Sequence, residues 1–208
     1  MKVKVCGITR YDDARTALDA GAWTLGFIFH PSSPRFIDQD RARKIVSRLP
    51  AETRTVGVFV DRPSAEVQAT VDHIGLAGVQ LHGNETFETL AVLKADPRVK
   101  AFRVREGAGE VARLEALFSG FPAALVLLDT YRKDAHGGTG ETFDWQVARE
   151  LAARRPIVLA GGLTLENVEE AVKVVQPFAL DVSSGLETSP GVKDPERIRE
   201  LFRVLGKS

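Results

Sequence analysis

Two side chains in this sequence could exchange protons with a small molecule. Cys6 ends a short apolar run, and Asp129 directly follows Ala124-Leu125-Val126-Leu127-Leu128. A thiol can act as a nucleophile or a base, although an ordinary thiol is only a few per cent ionised at neutral pH. A carboxyl group after such an apolar run needs a partner or a protonation role. Each residue also has a structural alternative, because Cys6 could be a buried small hydrophobic residue and Asp129 could cap nearby amides.

Three short segments rich in glycine, serine or threonine could bind a phosphate group. They are Gly137-Gly138-Thr139-Gly140, Gly161-Gly162 and Ser183-Ser184-Gly185. Glycine lets backbone N–H groups approach a phosphate closely, and a helix N-terminus adds a favourable dipole. The glycines could also serve only to make tight turns. Three such segments favour phosphate binding if the fold brings them together at one edge. The predicted phosphate-binding residues are Gly140, Gly161, Gly162, Ser183, Ser184 and Gly185.

Four further polar residues are candidates for contacts with a substrate. Arg35 lies in a loop stiffened by two prolines, where a guanidinium could bind a carboxylate through two hydrogen bonds, although it could also be a surface arginine. His82 and Arg103 end apolar runs and could bind substrate or serve the structure. Asp181 ends another run, and could alternatively support Ser183 and its neighbours.

Charge and composition argue against several classes of function. The 28 basic and 28 acidic residues cancel, which leaves no overall field to attract nucleic acid or an anionic membrane. One cysteine and four scattered histidines offer no pattern typical of a metal site. The dinucleotide-binding glycine pattern and the Gly-x-Ser-x-Gly pattern are both missing where they would be needed. These observations favour neither a metal site nor a dinucleotide-binding site. The lack of a signal-peptide pattern predicts a cytoplasmic protein.

Strand-like and helix-like segments alternate along the whole sequence, which is typical of βαβ units around a parallel sheet. The predicted strands are Val3–Cys6, Thr24–Phe29, Thr55–Val60, Gly78–Leu81, Lys100–Val104, Ala124–Leu128, Ile157–Ala160 and Ala179–Val182. The predicted helices are Asp12–Ala20, Gln39–Leu49, Ala65–His73, Glu85–Lys94, Glu110–Phe118, Trp145–Ala153, Leu165–Val175 and Pro195–Leu205. Asp38, Thr164 and Asp194 are the expected N-caps of three of them.

Eight such units favour a single-domain (β/α)8 TIM barrel over residues 1–208, and the alternative is an open doubly wound sheet. Nearly every predicted strand ends in polar or glycine residues. A barrel gathers all eight strand ends around one mouth, whereas an open sheet gathers only those at its switch point. The barrel therefore places all the candidate site residues together.

An ordered set of motifs resembles the phosphoribosylanthranilate isomerases of tryptophan biosynthesis. The motifs are Lys4-Val5-Cys6-Gly7-Ile8-Thr9, Gly26-Phe27-Ile28-Phe29, Ser33-Pro34-Arg35, Gly57-Val58-Phe59-Val60, Val79-Gln80-Leu81-His82-Gly83, Leu128-Asp129, Gly137-Gly138-Thr139-Gly140, Leu159-Ala160-Gly161-Gly162-Leu163 and Asp181-Val182-Ser183-Ser184-Gly185. Each motif is weak alone, but together they follow the family's order. Tyr131–Asp134 has no pattern to compare.

The resemblance implies a (β/α)8 barrel without a cofactor that catalyses an Amadori rearrangement. N-(5′-phosphoribosyl)anthranilate would become 1-(o-carboxyphenylamino)-1-deoxyribulose 5-phosphate. By the same resemblance, Cys6 is the general base, Asp129 is the general acid, and Arg35 faces the anthranilate carboxylate. The resemblance is compatible with either a monomer or a homodimer, and a homodimer is our expectation.

Two other functions remain open at this point. Another phosphosugar aldose–ketose isomerase would share the barrel and the phosphate site, but the related enzymes are expected to carry an aspartate at the position of Cys6. A non-catalytic barrel that binds a phosphorylated ligand would keep the glycine segments without needing both Cys6 and Asp129. Replacing either residue distinguishes an enzyme from a binding barrel, since ligand binding should survive in both cases while turnover should collapse only for the enzyme.

Overall fold

The computed structural model describes residues 1–105, 107–130 and 145–206. Eight parallel strands line a closed barrel: β1 (Lys2–Cys6), β2 (Thr24–Ile28), β3 (Thr55–Phe59), β4 (Gly78–Leu81), β5 (Arg98–Val104), β6 (Leu125–Thr130), β7 (Ile157–Leu159) and β8 (Ala179–Val182). The helices are α1 (Tyr11–Asp19), α2 (Gln39–Val46), α3 (Ser64–Ile74), α4 (Phe87–Ala91), α5 (Glu110–Phe118), α6 (Trp145–Ala152), α7 (Val168–Val175) and α8 (Pro195–Val204).

Pairing between the first and last strands closes the barrel. β1 lies parallel to β8, with Val3 opposite Leu180 and Lys4 opposite Asp181. The predicted (β/α)8 fold is therefore confirmed, and the open sheet is excluded. A two-stranded antiparallel hairpin that the sequence pattern did not predict follows the barrel, formed by β9 (Glu187–Ser189) and β10 (Val192–Lys193).

Alternation along each strand divides the core into two parts. Successive side chains of a strand point to opposite faces. Val3 and Val5 are buried among the helices that surround the barrel. A smaller apolar cluster, formed by Val99, Ala101, Leu127, Val158, Ala160 and Ala179, fills part of the barrel interior. Lys4 and Cys6 occupy the alternate positions of β1, so they also face inward.

Two helix predictions were wrong at their N-terminal ends. α4 begins at Phe87 rather than Glu85, because the Glu85 carboxylate accepts hydrogen bonds from the backbone N–H groups of Asp61 and Gly83 and from the Lys100 ammonium. This residue therefore ties loops together instead of starting a helix. α7 begins at Val168.

The N-cap expected at Thr164 is also wrong. The backbone N–H of Thr164 donates to Asn167 Oδ1 at 2.9 Å, so these residues form a turn before α7. Asp38 and Asp194 do cap α2 and α8, and their side chains accept hydrogen bonds from backbone N–H groups in the first turn.

Candidate active site

A cavity at the carboxyl ends of the strands collects most of the predicted site residues. Its lining includes ten of them: Cys6, Arg35, His82, Arg103, Asp129, Gly161, Gly162, Asp181, Ser183 and Ser184. Gly185 lies beside this lining, and the predicted phosphate residue Gly140 falls outside the described residues, as does Tyr131–Asp134. The barrel mouth therefore joins residues that are far apart in the sequence.

Cys6 lies beside a buried ion pair that the sequence analysis missed. Lys4 Nζ donates to Asp181 Oδ2 at 2.8 Å, and both side chains are buried. A Cβ on Gly26 would lie 2.7 Å from Cys6 Sγ and 3.0 Å from Lys4 Nζ. The thiol and the ammonium are therefore no more than 5.7 Å apart, which is the sum of these two distances. At position 26 of β2, only a glycine leaves room for both the Cys6 thiol and the Lys4 ammonium.

The charges around Cys6 act in opposite directions on its ionisation. Burial, assisted by the Asp181 carboxylate, raises the pKa of the Cys6 thiol. The ammonium groups of Lys4 and Lys193 lower this pKa, but they do not overcome the first two effects. Cys6 is therefore mostly a thiol at neutral pH, and its thiolate is a comparatively strong base once formed.

Lys4 could have been found from the alternation of side chains along the strand. It stands two residues before Cys6, so the two side chains share the inward face of β1. A lysine at an inward position of a barrel strand needs a buried partner. The sequence does not show that this partner is Asp181.

Asp129 is held by two neighbours at the end of β6. Its Oδ1 accepts a hydrogen bond from the backbone N–H of Thr130 at 2.8 Å, and its Oδ2 lies 3.1 Å from His82 Nε2. The capping alternative for Asp129 is thus correct for one oxygen, while the second oxygen faces a histidine at the cavity wall. His82 Nδ1 in turn lies 3.0 Å from Nε2 of Gln80, a residue of the Val79–Gly83 motif to which the sequence assigns no role.

The loops after β7 and β8 fit tightly together around the predicted phosphate site. Gly161 and Gly162 have φ angles of +84° and +62°, in the region that favours glycine. A Cβ on Gly185 would lie 2.2 Å from the Leu163 carbonyl oxygen. Ser183 Oγ donates to the Cys6 carbonyl oxygen at 3.0 Å, which fixes this rim to the strand that carries the thiol.

Arg35 is buried rather than a surface arginine. Its Nε and one terminal nitrogen donate to the Glu187 carboxylate at 2.7–3.0 Å, and Lys193 Nζ donates to the same carboxylate at 2.8 Å. Burial opposes the ionisation of Glu187, but the two cations outweigh it and hold the pKa of this carboxyl below its usual value. Glu187 therefore fixes Arg35 at the cavity wall. No local sequence signal identifies this partner.

Arg103 lies beside Asp129, and Asp181 lies near Cys6. Arg103 is aligned with Asp129 in the pairing of β5 with β6, and it lines the cavity. Asp181 bonds to Lys4 rather than to Ser183, so the alternative of direct support for Ser183 is wrong. Its second oxygen, Oδ1, is buried with no hydrogen-bond partner among the described residues.

Residues 1–105, 107–130 and 145–206 contain neither a cluster of metal ligands nor a helix suited to cross a membrane. No three His, Cys, Asp or Glu side chains in these ranges lie close enough to hold a metal ion. No helix in them has both the length and the apolar character that a membrane crossing requires.

A closed (β/α)8 barrel with a thiol, a carboxyl group and a glycine-lined rim at its mouth defines a class of protein, the TIM-barrel enzymes that act on small molecules. The comparison with known proteins is more specific. The model of the N-(5′-phosphoribosyl)anthranilate (PRA) isomerase family matches residues 3–204. The chain belongs to this family, whose members are aldose–ketose isomerases.

Individual relatives agree with the family match. The N-(5′-phosphoribosyl)anthranilate isomerase of Pelobacter propionicus is 45% identical over 204 residues, which cover 98% of this chain and 95% of the relative. A solved structure of monomers of the dimeric phosphoribosylanthranilate isomerase from Thermotoga maritima has a TM-score of 0.86 at 35% identity and covers 99% of this chain and 98% of the other. A second solved phosphoribosylanthranilate isomerase holds reduced 1-(o-carboxyphenylamino)-1-deoxyribulose 5-phosphate. It has a TM-score of 0.85 at 34% identity, with the same coverage.

Proposed function

We propose that this chain catalyses the Amadori rearrangement of N-(5′-phosphoribosyl)anthranilate in tryptophan biosynthesis, with Asp129 as general acid and Cys6 as general base. The product is 1-(o-carboxyphenylamino)-1-deoxyribulose 5-phosphate. The observation that carries the assignment is that Cys6 and Asp129 line one cavity from two different strands, β1 and β6. A substrate placed between them can receive a proton on one side and lose one on the other.

The first step opens the sugar ring. Protonated Asp129 donates its proton to the furanose ring oxygen, the bond from this oxygen to C1′ breaks, and the nitrogen lone pair forms an iminium with C1′. Asp129 becomes a carboxylate at this stage. The backbone N–H of Thr130, which already donates to Asp129 Oδ1, stabilises that charge.

The second step removes the proton on C2′. The adjacent iminium acidifies this proton, so a thiolate suffices to take it, and the C–H electron pair forms the C1′–C2′ double bond as the iminium is neutralised. Cys6 ends this step as a thiol. The enolamine then tautomerises to the ketone, with a proton gained at C1′ and one lost from the C2′ hydroxyl. Water returns the enzyme to its starting state by protonating Asp129 and deprotonating Cys6.

The cavity wall offers groups that suit the anthranilate carboxylate at one end of the substrate and the phosphate at the other. Arg35 is proposed to bind the anthranilate carboxylate. Glu187 supports this role because it fixes the direction of the guanidinium. The phosphate is proposed to lie against Gly161, Gly162, Ser183 and Ser184, with Gly140 and Gly185 completing the predicted set. His82, Arg103 and Asp181 are proposed to contact the sugar or to orient the acid and the base.

The experiment that tests the assignment compares turnover with binding. Purified protein is given N-(5′-phosphoribosyl)anthranilate, and the reaction is followed by the fluorescence of the anthranilate ring. Cys6→Ser and Asp129→Asn should each lower kcat by about 10²–10⁴-fold, the range typical of a lost acid–base group. Both variants should still bind the reduced product analogue. No conversion by the unchanged protein would refute the activity, and full turnover by either variant would refute the role of that residue.

The assembly and location of the chain are further parts of the proposal. We propose one catalytic domain over residues 1–208, acting in the cytoplasm and forming a homodimer. The pairing of β1 with β8 supports a single domain, because the two ends of the chain are needed to close one barrel. The dimeric relative from Thermotoga maritima supports the homodimer. Light scattering in solution would measure the mass, and a monomer at working concentration would refute the dimer.

A further inference from the structure

Gln80, His82 and Asp129 form a line of polar groups at the cavity wall. Gln80 Nε2 lies 3.0 Å from His82 Nδ1, and His82 Nε2 lies 3.1 Å from Asp129 Oδ2. Gln80 is 1% exposed, and its Oε1 has no hydrogen-bond partner within the described part of the chain. A buried amide oxygen without a partner is costly, so its position in this line needs an explanation.

The direction of each hydrogen bond determines which group carries a proton. A neutral imidazole has one N–H donor and one acceptor nitrogen. With the Gln80 N–H donating to Nδ1, the imidazole proton is on Nε2 and donates to Asp129. Asp129 must then be an acceptor, which is the ionised form. The general-acid role needs the opposite form, in which Asp129 O–H donates to Nε2.

Rotation of the Gln80 amide by half a turn produces the second arrangement. Oε1 then faces Nδ1–H, and the imidazole accepts the Asp129 proton at Nε2. The rotation gives Oε1 a partner and takes one from Nε2, so each arrangement leaves one end of the amide unpaired among the described residues and the position of the His82 proton decides between them. The change moves the imidazole proton from Nε2 to Nδ1 and adds one proton to Asp129, and water supplies and removes these protons.

We propose that Gln80 is a positioning residue that sets the tautomer of His82, and thereby allows Asp129 to keep the proton it donates to the substrate. Gln80 touches no reacting atom in this scheme. The inference rests on the proposed function, because it assigns a purpose to the protonated form of Asp129. It also explains why an amide, whose two ends are an acceptor and a donor, lies at this inward position of β4.

The first test observes the tautomer directly. Two-bond ¹⁵N–¹H correlation spectra of histidine-labelled protein distinguish Nδ1–H from Nε2–H imidazoles. The His82 signals are assigned by their loss in His82→Asn. In the unchanged protein without ligand, where Asp129 still holds the proton that it donates to the substrate, we expect His82 to carry its proton on Nδ1. A proton on Nε2 in this state would overturn the proposal, and this measurement does not depend on any variant of Gln80.

The second test is kinetic and uses Gln80→Met, which has a similar length and no hydrogen-bonding end. We expect kcat to fall about tenfold, because loss of one net hydrogen bond to His82 would lower the protonated fraction of Asp129 by about that factor, while KM stays within about twofold. The matched control is Thr24→Val, which removes another buried polar group that has no hydrogen-bond partner among the described residues, from the inner face of β2. Its kcat should stay within about twofold of the unchanged protein.

The outcomes separate this inference from the proposed function. If the unchanged protein does not convert the substrate, the proposed function fails. If it does, and Gln80→Met keeps its kcat or loses no more than Thr24→Val, Gln80 only fills space and the inference fails while the proposed function stands. A tenfold loss of kcat confined to Gln80→Met, with Nδ1–H on His82 in the unchanged protein, supports it.

Discussion

Lys4→Met should make Cys6 much harder to ionise while leaving the barrel folded. Burial lowers the pKa of Lys4, but the neighbouring Asp181 and Cys6 groups outweigh this effect and raise it, so the ammonium stays charged at neutral pH. It lies within 5.7 Å of Cys6 Sγ, the limit set by the Gly26 distances. Removing it takes away a positive charge beside the thiol and leaves the negative charge of Asp181 without its partner.

The size of this effect follows from Coulomb's law. Two unit charges 5.7 Å apart interact by about 3 kcal/mol at an effective dielectric constant of about 20. Each 1.36 kcal/mol changes a protonation equilibrium tenfold. The population of the Cys6 thiolate at pH 7 should therefore fall by roughly 100-fold in Lys4→Met, and kcat should fall by a similar factor if proton abstraction limits the rate.

Alkylation measures the thiolate without relying on turnover. Cys6 is the one cysteine of the chain, so the rate of its reaction with iodoacetamide can be followed against pH. Lys100→Met is the matched control, because it breaks a second buried ion pair, with Glu85, that does not involve the thiol. Lys4→Met should shift the alkylation profile to higher pH, and Lys100→Met should not. Urea unfolding confirms that both are folded. Alkylation of folded Lys4→Met at pH 7 as fast as that of the unchanged protein would refute the reasoning.

Two further predictions concern the rim of the cavity. Gly185→Ala should raise KM about tenfold with kcat within about threefold, because its Cβ would meet the Leu163 carbonyl oxygen at 2.2 Å and push the two phosphate loops apart. Steady-state kinetics would check this, and an unchanged KM would contradict it. Glu187→Gln should cost about 3 kcal/mol of stability at pH 7, since it leaves Arg35 and Lys193 buried without their carboxylate. The lowered pKa of Glu187 gives a stabilisation that is complete above its ordinary value of 4.5 and is lost as the pH falls through the lower folded value. Urea unfolding at pH 7, 4 and 3 should therefore show a shrinking difference between the two proteins, and a constant difference would exclude this account.

Much of the site could be predicted for two reasons. Polar residues at the strand ends meet at the barrel mouth, and side chains along each strand point alternately inward and outward. Cys6 and Asp129 stand at the ends of apolar runs, and the barrel brings all such ends to one mouth. The alternation places Lys4 on the face of Cys6 and Gln80 on the face of His82, so both could have been selected as candidates. Glu85 was misassigned because helical periodicity does not show whether a carboxylate is needed by a neighbouring loop.

The sequence by itself determined the number of βα units, the position of Cys6 at the end of a strand, and the polar residues at the other strand ends. These properties depend on side-chain periodicity and glycine content, which are local. Only the tertiary structure decided which charges meet. Lys4 reaches Asp181 across 177 positions, and Arg35 reaches Glu187 across 152. Both contacts depend on how the two ends of the chain come together, the first through the register of β1 against β8 and the second through the hairpin that follows. The environment that governs the ionisation of Cys6 therefore forms only when the barrel closes.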